Sequence, residues 1–246
     1  MKRILLICIM VFVLCSALTA AADPIKVAIN PDTKPFKYLD ENGEFAGIDA
    51  DVINSIAEAE GLELEFIEME FDEIMDAVAS CEVDAAISAL TKTENRSKMV
   101  LFSEPYIMGL QSAFVRLKND GWKDISDPAV RILGAKSGTT AEENSRIAAE
   151  RLNLELKHYP DYGDLFKALE NDEIDVAISD ELLAKQFVDS YGDMMTIGQP
   201  LTSEPYAIAV CPDKTDLLET LNHGMNELRK NGTLDEILLK NMNPAE

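Results

Sequence analysis

The 246-residue chain reads as an α/β protein of two lobes, each a mixed, mostly parallel sheet flanked by helices and joined by two hinge strands. Three observations predict that class. The phrase V-D-A-A-I-S at Val83–Ser88 returns as I-D-V-A-I-S at Ile174–Ser179; at the same offset and without a gap, residues 71–88 lie on 162–179, with Ala77/Ala168, Glu82/Glu173 and Asp84/Asp175 identical. Within each copy short apolar runs alternate with amphipathic segments, the pattern of parallel strands covered by helices. Two β-prone runs, one from Ile107 up to Arg116 and one at Ala207–Cys211, stand where the chain can cross between lobes and return.

Taken in order, Ile25–Ile29 is a first strand, followed by the turn-rich N-P-D-T-K-P and D-E-N-G. Ile48, Val52, Ile53, Ile56 and Ala57 then share one face of a helix, with Asp49, Asp51, Asn54 and Glu58 opposite and Gly61 as its stop. A strand over 62–67, a helix over 71–80 and a strand over 83–87 complete the first run. The second repeats the plan: strand 131–135, a helix from Thr139, strand 154–158, helix 163–170, strand 174–178. The tail is helical. Leu217, Leu218, Leu221, Met225 and Leu228 share a face that Gly232 closes, and T-L-D-E at Thr233–Glu236 has the form of a capping box. These last helices need a sheet to cover, so the chain is expected to return to its first lobe: 23–111 with 206–246 as lobe 1, 112–205 as lobe 2.

The N-terminus, M-K-R followed by the apolar run Ile4–Leu14 and the small residues Ala17–Ala22, has the form of a secretory signal peptide over 1–22, with cleavage before Asp23. The run is too short to span a bilayer. Cys15 is a weaker candidate for lipid attachment, because Val13 and Leu14 precede it where that signal takes a small residue. A periplasmic or extracellular location follows.

The formal net charge is −23, which disfavours nucleic acid and anionic membranes as partners and is explained by solubility. Beyond the signal, Cys81 and Cys211 can pair in an oxidising compartment, but spacing alone does not show that they do. With two histidines and no C-x-x-C pair, no metal site or cofactor is expected.

In open α/β sheets, ligands bind beyond the carboxyl ends of the strands. The repeated phrase ends at such places: S-A-L-T-K-T-E-N-R after Ile87, Ser179 and Asp180 after Ile178. One lobe so offers Arg96 and the other Asp180. A guanidinium can grip a carboxylate in a fork and a carboxylate can accept from an ammonium, the two charges of a free amino acid. Taken singly, Arg96 reads as a surface partner of Glu94, and Asp180 as the cap of the next helix; their matched placement favours a shared site. The loop G-A-K-S-G-T-T-A-E-E, Gly134–Glu143, opens a helix with Thr139 or Thr140 as cap, and its N–H groups favour an anion. It lacks the spacing of a P-loop or of a nucleophile elbow.

At these residues the chain resembles the periplasmic polar amino-acid-binding proteins, the type II solute-binding proteins of ABC importers. The likeness runs through P-F-K-Y-L-D-E-N-G-E-F-A-G-I-D-A-D, V-D-A-A-I-S-A-L-T-K-T-E-N-R, F-S-E-P-Y, K-S-G-T-T, I-D-V-A-I-S-D and L-R-K-N-G-T-L-D-E-I. The resemblance implies Arg96 for the ligand carboxylate, Thr91 beside it, Asp180 for the ammonium together with the carbonyl of Ala89, Thr139 and Thr140 at the helix start, and Phe71 as a wall against the ligand side chain. Position 33, often aromatic in the family, is Thr33, and Asn30 stands where lysine- and arginine-binding members place an acid. Lys136 resembles the glutamine-binding branch, where a lysine meets the ligand's side-chain carbonyl. The implied ligand is glutamine or another acceptor-bearing amino acid, carried by a monomer to an importer permease without chemistry.

The competing reading is enzymatic, because a few relatives on this fold are secreted cyclohexadienyl dehydratases acting on prephenate or arogenate. Such a site needs a general acid at the leaving hydroxyl. Glu104 and Glu204, in the two S-E-P-Y copies, are the carboxylates that come nearest to that role, though both read more simply as hinge and cleft rim.

Overall fold

The computed structural model describes residues 23–242; the signal segment and Cys15 lie outside the described residues. The first run folds as β1 (Ile25–Ile29), β2 (Asp32–Thr33), β3 (Lys37–Leu39), β4 (Phe45–Ala46), α1 (Ile48–Glu60), β5 (Leu64–Glu68), α2 (Phe71–Ala79), β6 (Ala85–Ala86) and β7 (Leu101–Phe102). The second comprises β8 (Ile107–Arg116), β9 (Ile132–Lys136), α3 (Thr140–Leu152), β10 (Glu155–Tyr159), α4 (Tyr162–Glu170), β11 (Val176–Asp180), α5 (Glu181–Tyr191) and β12 (Met194–Tyr206). The chain ends with β13 (Ala209–Val210), α6 (Thr215–Asn231) and α7 (Thr233–Met242).

Two five-stranded sheets result, and the internal repeat is visible in them. Their orders are β5-β1-β6-β13-β7 and β10-β9-β11-β8-β12. In each, the strands of the βαβα run are parallel, β5 with β1 with β6 and β10 with β9 with β11. In each, the last two strands are antiparallel. The chain leaves the first sheet after Phe102, pairs in the second from Ile107, and returns between Tyr206 and Ala209. Residues 107–110, which the sequence groups with lobe 1, pair with 203–206 at the start of β8. β12 runs farther than the hinge-like S-E-P-Y suggests, because a bulge between Ile197 and Thr202 lets it continue along β8.

Apolar faces fix the layers. Ile48, Val52, Ile53, Ile56 and Ala57 are buried as the helical spacing requires, and α1 packs against α6 and α7. Lys240 and Asn241 of α7 both donate to Asp51 on α1. A core cluster runs from Val27, Val52 and Ile56 through Tyr106 and Tyr206 to Phe114, Leu165 and Phe166; separate clusters fill the opposite face of each sheet. Cys81, just past α2, is bonded to Cys211, just past β13, across 130 residues of chain.

The turn-rich stretch after β1 contains a small antiparallel sheet of β2, β3 and β4. Strands of two or three residues carry no alternation, so periodicity gives no sign of them. This sheet supplies side chains to the site.

Candidate functional site

A narrow cavity lies between the sheets, lined by Lys37, Phe71, Ser88, Ala89, Thr91, Arg96, Lys136, Thr139, Thr140, Tyr162, Asp180 and Leu183. Of the ten residues that the sequence reading assigns to ligand binding, all but Asn30 and Thr33 are on this wall. Five of the twelve stand at or just beyond the carboxyl ends of parallel strands: Ser88, Ala89 and Thr91 follow β6, Lys136 ends β9, and Asp180 ends β11.

Arg96 begins a single 3-10 turn, Arg96–Lys98. Its Nη1 donates to the Thr91 carbonyl at 3.1 Å and its Nη2 to the Gly138 carbonyl at 3.1 Å, so the guanidinium reaches from the first sheet's loop to the loop after β9. Glu94 pairs with Lys98 and not with Arg96. Burial lowers the Arg96 pKa against the pull of Glu204, Glu143 and Asp180.

Asp180 precedes α5 but its side chain caps nothing. The Tyr206 hydroxyl donates to its Oδ2 at 2.5 Å and Gln111 Nε2 to its Oδ1 at 3.4 Å. Burial raises its pKa to about 7, with Glu204 adding to the rise and Tyr206, Gln111 and Arg96 opposing it.

Ala89 holds a left-handed backbone, φ 49°, at the turn that brings the chain from β6 toward Thr91. Its N–H donates to Asp49 Oδ2 at 2.7 Å, and the Tyr106 hydroxyl donates to Asp49 Oδ1 at 2.7 Å. Asp49 is wholly buried in α1, and burial raises its pKa to about 6. The helical pattern puts Asp49 on the outer face; hydrogen bonding to a loop amide keeps it inside instead.

The loop after β9 caps its helix reciprocally. Thr139 Oγ1 accepts from the Glu142 N–H and Glu142 Oε2 accepts from the Gly138 N–H, while Thr140 is the first helical residue and donates to Glu204 Oε2 at 2.9 Å. Gly138 has φ 75°, and a Cβ there would stand 3.1 Å from Asp72 Cβ. Two constraints so converge on glycine: the left-handed turn and the close approach of α2 from the other half.

Asn30 and Thr33 are buried beside the cavity without lining it. The Asn30 N–H donates to Ser88 Oγ, and its Oδ1 is buried with no partner among the described residues. Thr33 Oγ1 donates to Asp32 Oδ1.

Ser88 and Leu183 also line the cavity without a role assigned from the sequence, and three further residues that the sequence reading passes over bear on its charge. Asp32 and Lys37 come from the small sheet; Lys37 and Lys136, both almost fully buried, each donate to Asp32, one to either carboxylate oxygen. Those two lysines hold the Asp32 pKa at about 2 although burial pushes it up. Tyr162 is the third. The Lys136 ammonium lies 5.0 Å from the Tyr162 ring centre and 5.1 Å from that of Phe71, so a ring from each half flanks it. Tyr162 sits opposite Phe71 in the internal repeat, and that correspondence was available as its signal. Glu104 and Glu204 do not line the cavity: the Glu104 N–H is bonded to Asn222, and the Glu204 carboxylate is bonded to Thr140 and Thr202.

Proteins similar to this chain in sequence and fold include amino-acid-binding proteins. A probable histidine-binding protein of Campylobacter jejuni is 28% identical over 219 residues, 88% of this chain and 84% of its own. The ABC transporter arginine-binding protein 1 of Escherichia coli is 27% identical, covering 89% of this chain and 90% of its own. A solved ancestral arginine-binding protein bound to arginine superposes with a TM-score of 0.83 at 31% identity, over 90% of this chain and 99% of that one. Residues 25–244 match the bacterial extracellular solute-binding proteins, family 3, and the chain belongs to that family.

Proposed function

We propose that the protein captures a free polar α-amino acid in the cleft between its two lobes, 23–111 with 206–246 and 112–205, and delivers it to an ABC-type importer from outside the cytoplasm. The observation that carries this reading is the placement of Arg96 and Asp180 on one cavity, Arg96 from the segment that follows β6 and Asp180 from the carboxyl end of β11, the two strands of the repeated phrase. A guanidinium and a carboxylate on facing walls match the carboxylate and ammonium of a zwitterion. Each charge-assisted contact contributes roughly 1.5–3 kcal/mol, and a micromolar ligand needs about 8 in all. The site groups can therefore supply the larger part of a useful affinity.

Roles follow from position. Arg96 with Thr91 takes the carboxylate, aided by the N–H groups opening α3 behind Thr139 and Thr140. Asp180 and the Ala89 carbonyl take the ammonium. Phe71, Tyr162 and Lys136 surround the side chain, with Asn30 and Thr33 behind. Lys136 disfavours a cationic side chain and welcomes an acceptor, which supports glutamine or a similar ligand in preference to arginine. Because Arg96 and Lys136 each already bond across the two halves, a ligand touching both walls stabilises the closed arrangement.

Binding without catalysis is the reading supported here, since neither acid considered for a dehydratase reaches the cavity wall and the relatives described are named as amino-acid-binding proteins. The experiment is a thermal-shift panel of the twenty amino acids on the mature chain. At a hundredfold excess over Kd a ligand adds about 2.7 kcal/mol of stability. Arg96→Ala should abolish the shift for every amino acid. A flat panel on the wild-type chain, with turnover of prephenate, would replace this reading by the enzymatic one.

A further inference from the structure

We propose that the side-chain end of the cleft is an anion subsite in which Lys37 and Lys136 together grip a side-chain carboxylate, making the ligand an acidic amino acid. This rests on the amino-acid reading above and departs from it at the side chain, placing a carboxylate where that reading places a glutamine amide.

Charge matching is the first support. The cavity wall carries three cations, Lys37, Arg96 and Lys136, and one carboxylate, Asp180. Arg96 and Asp180 answer the two charges common to all α-amino acids, so two ammonium groups remain for the side chain. Asp32 stands behind them and balances one. Asp49, the other carboxylate that Lys37 feels, is bonded to Tyr106 and Ala89 and does not line the cavity.

Geometry is the second. Both ammonium groups reach the same Asp32 carboxylate, one to each oxygen, so their spacing already fits a carboxylate's two oxygens. Each ammonium has three donors, and Asp32 is the one hydrogen-bond acceptor of either among the described residues. A second carboxylate on the cavity side closes a ring of two cations and two anions in alternation. The ring lies between Phe71 and Tyr162, with Lys37 1% exposed and both lysines close to the Phe71 ring. Water screens charge poorly in such a place.

One feature favours an amide: the unpartnered Asn30 Oδ1 could accept from a side-chain NH₂. A single neutral acceptor is outweighed by two buried cations, which an amide oxygen satisfies only in part. A guanidinium side chain meets two like charges.

The test is calorimetric titration of the full mature chain with L-glutamate, L-aspartate, L-glutamine, L-asparagine and L-arginine, repeated on Lys37→Met and Lys136→Met. The expected result is that one acid binds at least about tenfold more tightly than its own amide, and that either variant shrinks this ratio to within about threefold. If a variant fails to fold, the wild-type ratio decides alone. An amide or arginine binding more tightly than both acids overturns the anion subsite and leaves the amino-acid reading standing. If none of the twenty amino acids binds, both fall together.

Discussion

On the proposed reading Arg96 and Asp180 take the two charges of the ligand, and Asp180 has a distinct signature in solution. Asp180 must be ionised to accept an ammonium, and its pKa in the ligand-free protein is about 7. Affinity is therefore expected to fall by up to about tenfold per pH unit below pH 7, and Asp180→Asn should bind more weakly with that slope gone; titration calorimetry between pH 5 and 8 measures both. A flat wild-type profile over that range removes Asp180 from the ammonium site. Tyr206 and Gln111 act through Asp180 by holding its oxygens. Tyr206→Phe should move the midpoint of the pH profile upward, because a donor that favours the charged form is lost.

At the scale of elements, the loops are held by groups remote from the ligand. Asp49 fixes the left-handed turn at Ala89, and its pKa is raised from 3.8 to about 6. A raised carboxylate means that the folded state keeps a proton that the unfolded chain has lost. Between about pH 4 and 6 Asp49 therefore makes stability fall as pH rises, by about 3 kcal/mol in all. Chemical denaturation across that range should show the slope, and Asp49→Asn should flatten it while lowering stability at pH 4. Asp32, held at about 2, has the opposite sign: its contribution is present above pH 4 and lost as pH falls through 2. Gly138→Ala separates two effects. Its φ of 75° strains alanine whether or not the halves meet, whereas the Asp72 contact at 3.1 Å exists only when they do. A loss of about 1 kcal/mol in ligand affinity, beyond any change in the stability of the free protein, is expected.

The same elements show what the sequence could and could not convey. The repeated phrase pointed to β6 and β11, and through them to Arg96 and Asp180, because a buried strand ending at a cleft is a short, strongly patterned object. The helix spacing of Ile48, Val52 and Ile56 marked the face of α1 that covers the sheet. Lys37 and Asp32 were illegible, since β2 and β3 are too short for alternation and a lysine in a turn-rich stretch reads as solvated. Tyr162 was written opposite Phe71 in the repeat, yet a tyrosine opening an amphipathic helix looks like ordinary core. Asp49 looked exposed on the helical pattern; only a distant loop amide and Tyr106 explain its burial.

For the whole molecule, one crosslink and one closure govern behaviour. The Cys81–Cys211 bridge closes a loop of 130 residues that contains β7 and the whole second sheet. Chain-entropy reasoning gives it about 5 kcal/mol, so replacing both cysteines by serine should lower Tm by roughly 10–20 °C in calorimetry. Arg96 and Lys136 bond across the halves, and on the proposed reading the ligand supplies a third link that favours closure. The most direct test compares three compounds by titration calorimetry: the tightest-binding amino acid of the panel, the amine left when its α-carboxylate is removed, and the acid left when its α-ammonium is removed. Only the intact zwitterion should bind, each truncated compound being weaker by at least about a hundredfold. Binding of either one within about tenfold of the parent would contradict a cleft built around Arg96 and Asp180.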